Sequence, residues 1–83
     1  MIYTVIWRPA ALEQLAEFWV SAADRQAITN AADDVDRKLR RDPVDQGESR
    51  DQNRRVFYVS PLAVMFEIDD DDRKVHVLDV WLF

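Results

Sequence analysis

The residues best suited to chemistry in this chain are three arginines, a tyrosine, a histidine and a glutamate. Arg50, Arg54 and Arg55 stand close together, with Glu48 just before them and Tyr58 just after. Arginine presents a planar, permanently charged fork that matches a phosphate, and its contacts strengthen as a phosphate gains charge during transfer. His76 is the only histidine, and imidazole titrates near neutrality. If the substrate is RNA, Arg50, Arg54 and Arg55 would hold phosphate while Glu48 or His76 moves a proton. Arg54 and Tyr58 share strand parity and point to one face, whereas Arg55 points to the other with Phe57 and Val59. Each residue also has a plainer reading. The arginines suit a solvated strand edge, and a strand histidine suits a hydrogen-bonded structural role. Asp79 is a charge inside an apolar strand. If buried it needs a partner, and Arg54 or Arg55 is the candidate.

The acidic run Asp69 to Asp72 invites a metal reading and does not support one. A calcium loop needs spaced ligands, a glycine and a terminal glutamate, so the run reads as a solvated hairpin tip. No metal or cofactor is expected. Cysteine is absent, which excludes disulfides and thiolate metal sites. Net charge is −5, which argues against broad nucleic-acid binding, since that rests on neutralising phosphates. The average conceals a basic middle: Arg37, Lys38, Arg40 and Arg41, then the three arginines above. The first four fall in the last turns of a helix, where its dipole favours cations. No apolar run approaches the roughly 20 residues of a membrane helix, and no signal peptide is visible. A cytoplasmic protein without membrane contact is the expectation.

These residues need elements to position them, and 83 residues make one domain, 1-83. Apolar residues are 48% of the chain, enough for a real core. Ile2 to Trp7, rich in β-branched and aromatic residues, reads as a strand closed by Pro9. Leu12, Leu15, Ala16 and Trp19 form a helical stripe, widened by Phe18, with Glu13, Gln14 and Glu17 facing water. After a short break Asp24 caps a second helix, whose stripe is Ile28, Ala31, Ala32, Val35 and Leu39. Pro43 ends it. Gly47, the only glycine, suits a turn needing φ > 0. Arg54 to Ser60, Leu62 to Ile68 and Lys74 to Trp81 read as strands, with Pro61 and the acidic run as turns. The last is apolar at nearly every position, as in a strand covered on both faces. The fold class is α+β, with the helix hairpin packed on one face of a sheet built from four strands.

The order strand, helix, helix, strand, strand, strand resembles the RelE/ParE superfamily of small toxins. So does the local pattern Gly47-Glu48-Ser49-Arg50, Arg54-Arg55, Pro61-Leu62-x-Val64-x-Phe66 and Val75-x-Val77-x-x-Val80-Trp81. The resemblance implies an N-terminal strand and an αα-hairpin packed on a mainly antiparallel sheet that ends in a three-strand meander. It implies the toxin of a type II toxin–antitoxin system, of the kind also called a plasmid-stabilisation protein, neutralised by a cognate antitoxin. The cellular target is then ribosome-bound mRNA or DNA gyrase. An alternative is a degenerate, non-toxic interaction module on the same fold. RelE-like nucleases place cations on the sheet face and basic, His or Tyr residues near the C-terminus. On that pattern the third-strand arginine falls at Ala63, the second-strand pair is met only by Arg54 with Val56 as companion, and the C-terminal position holds Leu82 and Phe83. Glu48 lies where some related nucleases use a glutamate. Catalytic candidates are therefore Glu48, Arg54 and His76; target-binding candidates are Arg50, Arg54, Arg55 and Tyr58. Inhibition by binding is favoured over efficient cleavage. The apolar end Trp81, Leu82 and Phe83 is expected to tuck into the fold or to lie against the antitoxin or a second copy.

Overall fold

The computed structural model describes residues 2–51 and 53–83, the side chains of Arg50 and Asp51 excepted. Among the described residues the chain forms β1 (Thr4–Trp7), α1 (Pro9–Ser21), α2 (Arg25–Arg41), a short 3-10 turn (Pro43–Asp45), β2 (Glu48–Asp51), β3 (Arg54–Val59), β4 (Leu62–Asp69) and β5 (Lys74–Leu82). The strands make one sheet in the order β1-β5-β4-β3-β2. β1 runs parallel to β5, and every other pair is antiparallel. The expected α+β class and hairpin-on-sheet layering hold, with one strand more than expected. Glu48–Asp51 carries no apolar residue and is held to β3 by the ladder, so hydrophobic periodicity could not reveal it.

Both helices cover one face of the sheet. Val35, Leu39, Leu62, Val64, Phe66, Val75 and Val77 are fully buried between the layers. α2 behaves as its stripe requires. Ile28, Ala31, Val35 and Leu39 are buried, and the Asp24 carboxylate accepts from the Ala27 amide at 3.1 Å.

α1 does not behave as expected. Its buried row is Ala11 with the half-buried Leu15, Phe18 and Ala22, one helical face pressed on β5. Leu12, Ala16 and Trp19, read as core, are rotated outward, and Trp19 keeps 42% of its surface exposed. The helix is apolar around so wide an arc that two i, i+4, i+7 rows fit it, and only docking selects one. Gln14, expected in water, is half-buried instead. Its side-chain oxygen accepts from the Val80 amide at 3.0 Å.

β1 pairs with β5 only as far as Val77, and β5 then carries a register shift. Met65 pairs with Asp79 but Phe66 pairs with Val77, leaving Leu78 as the extra residue. Inward residues on β5 are therefore Val75, Val77 and Val80. This corrects the two-sided covering expected of β5. The strand is covered by helices on one face only, and the parity change across the bulge is what makes it look apolar throughout. Asp79 is exposed beside the bulge, so its charge needs no buried partner. Gly47 adopts φ 66°, and a Cβ there would lie 2.1 Å from the Val56 carbonyl oxygen. The glycine thus lets β2 fold back closely on β3. Pro61 follows a cis peptide bond in the β3–β4 turn.

Candidate functional site on the open sheet face

The face turned away from the helices displays most of the candidate residues. Alternation along β3 places Arg54, Val56 and Tyr58 there, and the β2 ladder adds Glu48 opposite Val56. Across β4 the ladder continues with Ala63, Met65 and Glu67, and across β5 with Trp81, Asp79 and His76. Two rows result. One is aromatic: Tyr58, Ala63 and Trp81 side by side, with the Phe83 ring edge-on to Tyr58 at 5.1 Å between centroids. The other is ionisable: Arg54, Glu67 and His76 in register on three adjacent strands, with Ile6 of β1 beyond.

The structure brings Arg54 and His76 into one row through Glu67, a residue that sequence reasoning missed. Its signal was its position, two residues after Met65 on the outward parity of β4. The Arg54 guanidinium lies 3.6 Å from the Glu67 carboxylate, with both side chains about half exposed. A pair in that setting is weak, but it compensates the cation. His76 is half-buried, and its Nδ1 is buried without a hydrogen-bond partner among the described residues. Two hollows flank the Glu67–His76 pair. One, of about 280 Å³, is bounded by Arg8 and Leu78; the other, of about 290 Å³, is bounded by Asn53 and Asp69 to Asp71.

Glu48 is exposed on the same face, nearer its β2 edge. Arg50 lies in β2, and its side chain is outside the described residues. Arg55 stands apart from the others. It points to the helix side, where its Nε donates to the Gln46 carbonyl at 2.8 Å and Nη2 to that of Gly47 at 3.2 Å. It closes the loop that leads into β2. Trp81 is half-buried, while Leu82 and Phe83 are about half and 63% exposed. The end is nonetheless tied, because the Phe83 amide donates to the Pro61 carbonyl at 3.2 Å.

Chemically, this face offers a carboxylate-compensated arginine, an imidazole and an aromatic shelf. Among the described side chains it shows no cluster of free cations that would draw a phosphate and stabilise its extra charge in transfer. Ala63, fully buried between Tyr58 and Trp81, occupies the centre of the aromatic row and carries no charge there. Among the described residues no cluster of three or more His, Asp or Glu side chains is placed to hold a metal ion.

At the helix end of the sheet, Tyr3 links β1 to the β4–β5 turn. Its hydroxyl donates to Asp70 at 2.8 Å and accepts from Arg73 at 3.2 Å. The Asp70 hydrogen bond, with some desolvation and the Asp70 charge, raises the phenol above its usual value of 10.0 against the opposing pull of Arg73.

No family profile matches this sequence, and no curated protein matches it. Its backbone is nonetheless shared with solved structures. The chain superposes with a TM-score of 0.83 on a chain of the toxin–antitoxin complex RelBE2 from Mycobacterium tuberculosis, at 17% identity and over 100% of both chains. A chain of the chromosomal ParDE toxin–antitoxin system from P. aeruginosa matches at a TM-score of 0.66 and 13% identity, covering 98% of this chain and 96% of the other. A chain of the archaeal RelE–RelB complex from Pyrococcus horikoshii matches at 0.64 and 14%, covering 99% and 96%. Two helices on a five-strand mixed sheet, in this order, are the RelE/ParE-like toxin fold. No helix is long and apolar enough to cross a membrane among the described residues.

Proposed function

We propose that this chain is the toxin of a type II toxin–antitoxin pair, acting in the cytoplasm and held inactive by a cognate antitoxin. The carrying observation is the end-to-end likeness to a chain of the RelBE2 complex, with neither chain left uncovered. Within that reading, inhibition by binding fits the open face better than efficient RNA cleavage. Arg54 is compensated by Glu67, Asp69 to Asp71 stand beside the His76 hollow, and Ala63 supplies no cation. An acidic chain is also poorly suited to an RNA-rich docking site.

The test is induced expression in bacteria, with and without the neighbouring small gene. Growth arrest relieved by that gene supports the reading. Absence of arrest would leave a non-toxic interaction module instead. The target follows from two assays: loss of DNA supercoiling with intact mRNA points to gyrase, and codon-positioned cuts in ribosome-bound mRNA point to the ribosome. A second reading, slow ribosome-dependent cleavage, is favoured by the Arg54–Glu67–His76 row, which places a cation, a carboxylate and an imidazole in one line. Under it His76→Ala abolishes the cuts.

A further inference from the structure

Between the aromatic and ionisable rows of the open face lies a third row. Asp79, Met65, Val56 and Glu48 stand in register on β5, β4, β3 and β2, so an apolar centre has a carboxylate at each end. Asp79 is exposed, and its side chain has no hydrogen bond or ion pair among the described residues. Asp71, exposed and equally unengaged, borders the hollow beside Glu67 and His76. Ladder parity turns Glu48, Glu67, Asp69 and Asp79 outward against Arg54 and Lys74, with Arg8 at the margin. The described side chains of this face are therefore net negative, a potential that draws cations and repels phosphate.

The aromatic row adds a second attraction for a cation. Tyr58 is 46% exposed and Phe83 63%, with their rings edge to face. The negative face of an aromatic ring receives an ammonium or guanidinium. Asp79 is two residues from Trp81 on the same side of β5, so rings and carboxylate act on one cation. Spacing sets the shape of the occupant. Ala63, Met65 and Glu67 are successive outward positions on β4, about 6.6–6.8 Å apart. Side chains on one face of an extended segment repeat with that period, whereas a helix advances about 5.4 Å per turn. An extended segment laid along β4 thus sets residues i, i+2 and i+4 over the aromatic row, Met65 and Glu67.

We infer that the open face takes a basic extended segment of a partner protein, with lysine or arginine at i and i+4 and an aliphatic residue at i+2. One cation meets the aromatic row and Asp79, and the other meets Glu67 and Asp71. Arg54, its charge compensated by Glu67, adds N–H donors for the carbonyls of the segment. The assignment rests on the reading of inhibition by binding, under which the segment belongs to the protein target. Docking is measured without reference to growth, so either statement can fail alone.

The probes are labelled peptides of about ten residues, long enough to cross the three rows in extended form: Lys-Thr-Leu-Thr-Lys with threonine flanks, the same with glutamates for lysines, a scramble of the lysine peptide, and an oligouridylate of equal length. Binding to the purified chain is followed by anisotropy at near-physiological salt. The lysine peptide should bind at least about fivefold tighter than each of the other three. Asp79→Lys should weaken it at least about fivefold, whereas Asp33→Lys, the same charge change on the helix side, should alter affinity by less than about twofold. Tyr58→Ala should weaken it about two- to fivefold. All three positions are exposed, and circular dichroism checks that the variants fold. Equal binding of the glutamate or scrambled peptide, equal losses in the Asp79 and Asp33 variants, or an unchanged Tyr58 variant overturns the inference. Tighter binding of the oligouridylate overturns it too, assigning the face to RNA.

Discussion

Arg54 and Arg55 stand on opposite faces of β3, and that separation predicts different outcomes for two adjacent substitutions. Arg55→Ala removes the donors that hold the Gln46 and Gly47 carbonyls, so it should cost about 1–3 kcal/mol in urea denaturation. Arg54→Ala loses only a half-exposed ion pair and should cost less than about 1 kcal/mol. Under the proposed function it is Arg54→Ala that weakens growth arrest while the fold persists. A stability loss for Arg54→Ala as large as that for Arg55→Ala would mean that the faces are misassigned. The same logic separates two aromatics. Phe66 is fully buried and Trp19 is not. Phe66→Ala should cost about 3–5 kcal/mol, a large share of the stability of a domain this size, and Trp19→Ala about half of that or less. Thermal and chemical melts of the two variants check the order.

At the scale of the element, α1 meets β5 through a polar contact as well as its apolar row. Just beyond the bulge at Leu78, the Val80 amide donates to the Gln14 side chain of the helix. Gln14→Leu would leave a buried donor unpaired and should cost about 1–3 kcal/mol. Hydrogen exchange should show faster loss at Val80 than in Asp24→Ala, which costs about 1 kcal/mol but acts at the start of α2. The attachment of β1 to the β4–β5 turn has a pH signature. The Tyr3 phenol is raised in the folded state. Its contribution to stability is thus fully present below pH 10.0, the phenol's ordinary value, and fades as pH rises through the higher folded value. Ultraviolet titration should show the Tyr3 phenol ionising above its ordinary value, and Asp70→Asn should lower it.

At the scale of the molecule, the C-terminal end closes the meander. The Phe83 amide reaches Pro61, its ring rests on Tyr58, and Leu82 pairs with Leu62. Deleting Leu82 and Phe83 should lower Tm by several degrees in a domain of this size. An unchanged Tm would mean that these contacts carry no weight in solution. The molecule as a whole is two-sided: the helix side leaves Leu12, Trp19 and Val20 of α1 exposed, and the bare side of the sheet presents the ionisable and aromatic rows. A partner on the helix side therefore leaves the open face uncovered. An antitoxin that neutralises by blocking the open face must reach around a sheet edge to do so.

Several elements were fixed by local chemistry and could be read from residue order alone. Pro9, Asp24, Pro43, Gly47 and Pro61 act through backbone geometry or capping, which need no tertiary partner. The strict alternation of Leu62, Val64, Phe66 and Ile68 suffices to orient β4. Strand parity likewise separated Arg54 and Tyr58 from Arg55. Three things only the assembled fold decided. β2 has no hydrophobic signal, because an edge strand can be held by backbone pairing alone. The buried row of α1 was undetermined because its apolar arc is wider than one docking face, and contact with β5 chose Ala11, Leu15 and Phe18 over Leu12 and Trp19. The Arg54–Glu67–His76 row joins residues far apart in the chain. Register between strands, shifted by the bulge at Leu78, places them side by side, and register is a property of the pairing of strands rather than of any one of them.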